Sequence, residues 1–353
     1  MADANVSAIP LSRSVAVGGL ALNLRDLGPQ DASAVVALHC QVFGPGADAS
    51  WFAWKYGPST EQGVGQGVGA WQGDALVACC AGLPRTLWRA GESVRGLQIG
   101  DVMVHPDWRG ILTRRGAFFH ASESFYASRL GAAPGRPFQV GFGFPSQRHL
   151  RLAVLLKLLH DGGSVDVLHW PVQQAPDLTL PWHWRWRPID PAHPRFDRVA
   201  DAAWHTMRAA AGRWTMGQRD ANYLRWRYAL RPPVAPQAPA RYRFFELTRA
   251  WPFAGSGLAV LDLRAATACW LDWVGPLDWM PMASRACRLE AARCGATGLS
   301  AWASPPVAQG LAGTGIARRE LCAGFGMPLA SDLHPDQSTC SGWWMMGGDT
   351  DFL

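Results

Sequence analysis

Residues 100–110 of the chain read GDVMVHPDWRG. They begin inside an apolar stretch, residues 97–104, whose length and β-branched content are typical of a strand. Pro106 ends that strand, and a long helix is predicted over about residues 112–130. Backbone amides at the start of a helix, with the arginines that stand nearby, form a ready site for an anion. The segment therefore predicts a strand, a loop and a helix that together bind an anionic group.

The composition is that of a globular protein, with 48% hydrophobic and 17% charged residues in a chain of 353. At roughly 100–200 residues per domain, this length predicts two domains or one large one. The best apolar run, residues 150–159, is interrupted by Arg151 and Lys157 and is shorter than the ~20 residues that a membrane helix needs. The N-terminal residues show no basic start followed by an apolar stretch, so no signal peptide is expected. The composition therefore excludes the membrane, secreted and fibrous classes.

Arginine dominates the basic residues, since only Lys55 and Lys157 among the 33 are lysines. The formal net charge is +6, but the basic residues form no block or tail, which disfavours nucleic acid as a partner. The eight cysteines form no CxxC motif, and no pair of histidines has the spacing of metal ligands. We therefore expect reduced thiols, a cytoplasmic location and no metal.

The order of the predicted elements indicates a mixed α/β fold. A strand at residues 20–27 leads into a helix that ends near Phe43, antiparallel strands follow, and a strand–helix–strand–helix–strand run reaches residue 170. This order predicts a mixed sheet with helices on its faces. Residues 171–195 contain six prolines and no periodicity, so they are predicted to form a linker.

The second half of the chain repeats landmarks of the first. Residues 54–56 read WKY and residues 226–228 read WRY. Each is followed by a strand pattern with an aspartate, which is Asp101 in the first half and Asp272 in the second, and tryptophan and aspartate are 47 and 46 positions apart. A matched order and spacing indicates two copies of one unit. The predicted division is a flexible tail at 1–19, a first domain at 20–170, the linker at 171–195 and a second domain at 196–353.

These features resemble the GNAT acyltransferase superfamily, in a tandem arrangement. In that family a strand ends in a V-x-P-x-[YW]-R-G segment, and the amides at the start of the next helix hold the pyrophosphate of coenzyme A. Residues 104–110 match the segment. The resemblance is clear over residues 20–170 and weak over residues 196–353. It implies two GNAT-like domains, each a central mixed sheet flanked by helices.

The resemblance also implies which residues bind acetyl-CoA, the acyl donor and co-substrate. They belong to the strand end and the phosphate loop, and they are Val102, Met103, Val104, Arg109, Gly110, Arg114, Arg115 and Gly116. The family loop usually reads R-x-x-G-x-G/A, whereas here Arg109 is followed by GILTR. This departure leaves two expectations. Either the loop is a variant in which Gly116 takes the place of a glycine of the motif, or the loop binds coenzyme A weakly or not at all.

Acyl transfer to an amine requires a positioned thioester, a deprotonated amine and a proton for the departing thiolate. The resemblance places Asp101 where the family often keeps an acidic residue that acts as the base, and a structural aspartate is the alternative. The family often has a tyrosine, as the acid for the thiolate, on the helix after the fifth strand. That helix, residues 146–159, contains no tyrosine, and Ser146 and His149 are the candidate substitutes. Asp101 and His149 are therefore the predicted catalytic residues.

The implied activity is transfer of an acetyl group from acetyl-CoA to an amine of a small molecule or a peptide-like acceptor. The second domain is not expected to bind coenzyme A, because residues 275–281 (GPLDWMP) place two prolines and an acid where the phosphate loop would lie. It is expected to shape the substrate cleft, with residues such as Trp226 and Asp272. Two alternatives stay open, a FemAB-like aminoacyl transferase that uses a carrier and a non-catalytic binding protein on a decayed GNAT fold.

Overall fold

The computed structural model describes residues 11–60, 67–109, 115–172, 179–233, 240–250, 255–333 and 337–350. The chain divides into two compact units. The first contains residues 1–86, 94–162 and 325–334, and the second contains residues 87–93, 163–324 and 335–353.

The first unit is built on strands β1 to β6 with four helices. The strands are β1 (Ser12–Val17), β2 (Leu20–Asp26), β3 (Gly67–Gln72), β4 (Ala75–Arg89), β5 (Glu92–Val104) and β6 (Val140–Gly143). The helices are α1 (Ala32–Phe43), α2 (Ala49–Thr60), α3 (Ala117–Arg129) and α4 (Gln147–Leu155). The strands lie side by side in chain order, with β1 to β4 antiparallel and β5 parallel to β6.

Apolar side chains form a core on each face of this sheet. On one face, α3 and the end of α4 pack on the strands, with Phe125 of α3 and Ala153 of α4 in the same buried cluster. On the other face, α1 contributes Val35 and Leu38, and α2 adds Phe52 at the margin. The first unit is therefore a mixed sheet between two helical layers.

Strand β5 changes register at Asp101. Before this residue Ile99 packs in the cluster around α3, and after it Val102 and Val104 pack beside the same cluster, whereas Met103 belongs to the cluster around α1. Odd-numbered residues therefore face α3 before Asp101 and even-numbered residues face it afterwards. Asp101 has a φ of 48°, in the left-handed region that a non-glycine residue rarely adopts. One extra residue is thus accommodated as a bulge at this position.

The second unit has its own mixed sheet. Its strands are β7 (Leu159–Pro171), β8 (Trp184–Pro188), β9 (Met216–Gly217), β10 (Arg243–Arg249), β11 (Gly255–Asp262), β12 (Thr267–Val274), β13 (Gly298–Ala303) and β14 (Arg318–Pro328). Its helices are α5 (Arg195–Ala209), α6 (Ala221–Leu224), α7 (Met280–Arg293) and α8 (Pro305–Gly310). Strands β7, β13, β12, β11, β10 and β8 are neighbours in this order, and only β12 and β13 pair in parallel. The first residues of β7 and the last of β14 belong to the first unit.

This architecture confirms the predicted mixed α/β fold, but two segments differ from the sequence expectation. The expected tail contains β1, which pairs with β2 through a turn at Gly18 and Gly19, with φ values of 59° and 83°. Two glycines with positive φ allow a two-residue hairpin. The expected linker contains β8, where Trp186 stacks on Phe245 of β10 with ring centroids 4.9 Å apart. Within the described residues, no helix combines the length and apolar character needed to cross a membrane.

The assigned core predicts a contrast between two phenylalanines. Phe125 is fully buried, and replacing it with alanine is expected to lower the free energy of unfolding by about 3–5 kcal/mol, because a large cavity remains. Phe43 is 57% exposed, and Phe43→Ala is expected to change the free energy of unfolding by only about 0.5 kcal/mol. Urea denaturation followed by tryptophan fluorescence measures both variants, and equal losses would contradict the assigned core.

Candidate active site

Asp101 lies in a buried ion pair with Lys55 of α2. The Lys55 Nζ atom is 2.9 Å from Asp101 Oδ1 and 2.8 Å from Oδ2, and each side chain is only 5% exposed. The neighbouring residue on α2, Tyr56, donates its hydroxyl hydrogen to Oδ2. Both carboxylate oxygens are therefore engaged, and α2 supplies both partners.

The surroundings of this pair keep it away from water. The Trp51 ring lies one turn earlier on α2, with its centroid 5.1 Å from Lys55 Nζ. From β4, the Cys79 thiol donates to the carbonyl oxygen of Asp101 at 3.3 Å. Burial raises the pKa of Cys79 well above its usual value, and the Asp101 carboxylate raises it further, so the thiol keeps the proton that it donates.

The pairing of β5 with β6 ends just before Asp101. Their parallel register runs from Gly96 beside Val140 to Ile99 beside Gly143, where β6 ends. Strand β5 continues to Val104, so the predicted thioester-binding residues 102–104 lie beyond the last described pair of the two strands. The resemblance expects the acyl group beyond the last pair of these two strands.

The start of α3 has no side-chain cap. Its N-cap residue is Gly116, which has no side chain, and its first turn contains no acidic residue. The amides of that turn therefore present the positive end of the helix dipole. Arg115 precedes this N-cap and lies over the Phe119 ring, at 4.8 Å.

Arg109, at the other end of the predicted phosphate loop, is held by the strand before it. Arg109 Nε donates to the carbonyl oxygen of Val104 at 3.0 Å, and the residue is exposed. Gly110 and Arg114, the other two loop residues that the sequence analysis selected, lie outside the described residues.

His149 lies in the first turn of α4. Ser146 Oγ accepts the amide hydrogen of His149 at 3.3 Å, which assigns Ser146 a capping role. The imidazole contacts Phe118 in the first turn of α3, with ring centroids 4.9 Å apart. Burial lowers the pKa of His149 below its usual value, so the imidazole is neutral at pH 7. The first turns of α3 and α4 are therefore in contact.

The second unit contains a similar aspartate contact. Tyr228 donates to Asp272 Oδ2 at 3.0 Å, as Tyr56 does to Asp101. The tyrosine and the aspartate are 44 positions apart in the second unit and 45 in the first. The cation differs, because Arg219 Nε donates to Asp272 at 2.8 Å and the same guanidinium binds Asp349. The repeated pattern in the sequence therefore corresponds to a repeated tyrosine–aspartate hydrogen bond.

Asp272 does not line a cleft, contrary to the sequence expectation, since it is fully buried beneath residues 346–350. Arg227 donates to the carbonyl oxygens of Gly348 and Thr350, and the Tyr223 hydroxyl donates to that of Gly348 at 2.8 Å. Burial raises the pKa of Asp272, and the Asp349 carboxylate raises it further against the effect of its arginine. The C-terminal turn of the chain therefore closes this copy of the site.

The helix that follows β12 also differs from α3. It starts at Met280, with Pro281 in its first turn, so one of the amides that an anion would need is missing. This local structure agrees with the sequence analysis, which expects no phosphate loop with consecutive backbone amides in this part of the second unit.

Lys55 and Tyr56 are the site residues that the sequence analysis did not select. The matched WKY and WRY tripeptides and their spacing to an aspartate contained the signal, but it was used only as evidence of duplication. No group of three or more His, Cys, Asp or Glu side chains within the described ranges is arranged to hold a metal ion.

The end of the β5–β6 pairing, the helix start without a side-chain cap and the buried aspartate lie on one strand–helix segment, and comparison with known proteins shows which family this part of the chain resembles. Residues 23–145 match the family model of the acetyltransferase (GNAT) domain. This match confirms the predicted resemblance for the first part of the chain. No curated protein sequence matches the chain significantly.

Solved structures share the fold over most of the chain. A GCN5-related N-acetyltransferase from Kribbella flavida is 16% identical with a TM-score of 0.59, over 87% of this chain and 70% of that one. A probable N-acyltransferase from Enterococcus faecalis V583 is 12% identical with a TM-score of 0.64, over 92% and 74%. An N-myristoyltransferase from Saccharomyces cerevisiae with bound myristoyl-CoA is 11% identical with a TM-score of 0.54, over 98% and 93%. At these identities the likeness establishes the GNAT fold.

The closed second site predicts that Gly348 tolerates no side chain. A Cβ atom there would collide with the Tyr228 hydroxyl and the Asp272 carboxylate, reaching 3.0 Å from Asp272 Cγ. Gly348→Ala is therefore expected to lower the thermal unfolding temperature by several degrees. Gly310→Ala is the control in the same unit, because its nearest contact is Met280 Sδ at an ordinary 3.6 Å. Unchanged thermal unfolding of Gly348→Ala would contradict the closed site.

The environment of His149 predicts its titration. Because burial lowers its pKa in the folded protein, the unfolded chain binds a proton more readily. His149 therefore makes the fold less stable as the pH falls below about 6.5, the ordinary pKa of histidine, and has no such effect above it. An NMR titration of the histidine rings, with the signal assigned by its loss in His149→Gln, measures this midpoint. A midpoint at or above 6.5 would contradict the burial.

Proposed function

We propose that the protein is an acyltransferase that transfers an acetyl group from acetyl-CoA to an amine of a small molecule or a peptide-like acceptor, and that the first unit carries the activity. One observation supports this most directly. Asp101 lies just beyond the last pair of β5 and β6, within the residues that match the GNAT domain, and the uncapped start of α3 follows on the same strand–loop–helix segment.

The donor would be held by backbone and arginine groups. Residues 102–104 would accept the pantetheine arm along the free edge of β5, and the amides at the start of α3 would bind the pyrophosphate. Arg109 and Arg115 would add charge-assisted hydrogen bonds to phosphate oxygens. Gly110, Arg114 and Gly116 complete the proposed loop. The second unit would not bind a donor, because its aspartate is covered and its helix has a proline in the first turn.

The acceptor amine must lose a proton, and the geometry supports a limited role for each predicted catalytic residue. Asp101 binds Lys55 and Tyr56 through its carboxylate oxygens, and it would orient the amine through a hydrogen bond or take its proton. His149 is neutral at pH 7 and would therefore accept a proton more readily than donate one.

The second unit would act as a structural partner, and the cytoplasm is the proposed location.

Calorimetric titration with acetyl-CoA tests the donor site. We expect binding in the micromolar range, and Arg109→Ala should weaken it about tenfold or more because a charge-assisted hydrogen bond to phosphate is lost. Arg264→Ala is the control, since that arginine pairs with Asp262 at the surface of the second unit. Myristoyl-CoA is titrated in parallel to compare acyl lengths.

A screen of primary amines, with thiol release from acetyl-CoA as the signal, then identifies the acceptor. Asp101→Asn is expected to lower the rate by about 100-fold or more while acetyl-CoA still binds. Absence of binding at millimolar acetyl-CoA would contradict the proposed function and favour a carrier-dependent or non-catalytic protein.

A further inference from the structure

Lys55 is an unusual choice of cation for this chain. Only two of its 33 basic residues are lysines, and the other, Lys157, is exposed. The buried cations that pair with aspartates elsewhere are arginines, such as Arg129 with Asp26 and Arg219 with Asp272. A lysine therefore occupies the buried aspartate pair just beyond the last pair of β5 and β6.

A comparison of the two units shows which contacts of this site belong to the repeated fold and which differ between the copies. The tyrosine–aspartate hydrogen bond occurs in both units, so it belongs to the repeated fold. The residue before the tyrosine is Lys55 in the first unit, where it binds the aspartate, and Arg227 in the second, where it binds backbone carbonyls instead. The ammonium–carboxylate contact is thus the feature that distinguishes the two copies.

Lysine and arginine differ in one property that matters for acyl transfer. A guanidinium does not lose its proton in proteins, whereas an ammonium does. Acyl transfer from a thioester needs a proton for the departing sulfur, and helix α4 provides no tyrosine for it. The neutral state of His149 makes the imidazole a poor source of that proton.

We infer that Lys55 donates the proton to the thiolate of coenzyme A, with Asp101 holding the ammonium in place. This inference rests on the proposed function. Attack of the amine on the thioester carbonyl gives a tetrahedral intermediate with a positive nitrogen and a negative oxygen. When the oxygen lone pair re-forms the carbonyl and the carbon–sulfur bond breaks, the electron pair leaves on sulfur and a proton passes to it from Lys55.

The proton balance closes within the site. Neutral Lys55 then takes one proton from the nitrogen of the new amide, which returns the ammonium to Asp101. The net reaction converts an amine and a thioester into an amide and a thiol, and neither an oxidant nor a metal takes part. The ordinary pKa values of an ammonium and a thiol are close enough for this transfer.

The test compares two acyl donors in Lys55→Arg, which keeps the positive charge beside Asp101 but removes the transferable proton. Hydroxylamine is the acceptor, because it is largely unprotonated at pH 7.5 and needs no base, and hydroxamate formation is the signal. With acetyl-CoA, the rate is expected to fall by about 100-fold or more. With 4-nitrophenyl acetate, whose phenolate leaves without a proton, the rate is expected to fall much less.

Lys157→Arg is the matched control and should behave as wild type with both donors. Lys55→Met, which lacks the charge, is a second variant in case arginine does not fit the buried site. Thermal unfolding and acetyl-CoA affinity show whether each variant is folded. A folded Lys55→Arg variant with the wild-type rate, or with equal losses for the two donors, would overturn the inference alone. A wild-type protein that binds acetyl-CoA but releases no thiol with hydroxylamine or any amine would overturn the proposed function.

Discussion

The left-handed backbone at Asp101 is the constraint on which the first unit depends. Such a conformation in a non-glycine residue costs roughly 1–3 kcal/mol and persists only where the surroundings enforce it. Here Lys55 and Tyr56 hold the side chain, Cys79 holds the carbonyl oxygen, and the bulge keeps Val102 and Val104 on the face that packs against α3. The same extra residue brings a carboxylate to the face of α2, so the packing of the core and the chemistry of the site have one local cause.

The two units show how a duplicated fold diverges around a retained contact. Both keep a tyrosine hydroxyl on the strand aspartate, and both bury that aspartate beside a cation. In the second unit the arginine fork joins Asp272 to Asp349, and the backbone at Gly348 fills the space next to them. A fully satisfied arginine network of this kind holds a chain segment in one geometry, which suits a structural role.

The sequence predicts the fold where its signals are local. The strand that ends at Val104 and the helices α3 and α4 follow from short motifs and apolar spacing, and the structure contains all three. Strand β8 escapes prediction because its support is tertiary, from Trp186 on Phe245. The Lys55–Asp101 pair joins residues 46 positions apart, and the closure of the second site joins positions more than 120 apart. Periodicity carries no information about contacts at such distances, so the site could be located from the sequence but its partners could not.

The scarcity of lysine gives the burial of Lys55 a practical consequence. Amine-reactive reagents attack uncharged, accessible amino groups, and the ammonium of Lys55 is shielded and ion-paired. Lys157, by contrast, is exposed at the end of α4. Conjugation chemistry directed at lysine, for surface attachment or for a fluorescent label, will therefore modify Lys157 and leave the environment of Asp101 chemically intact.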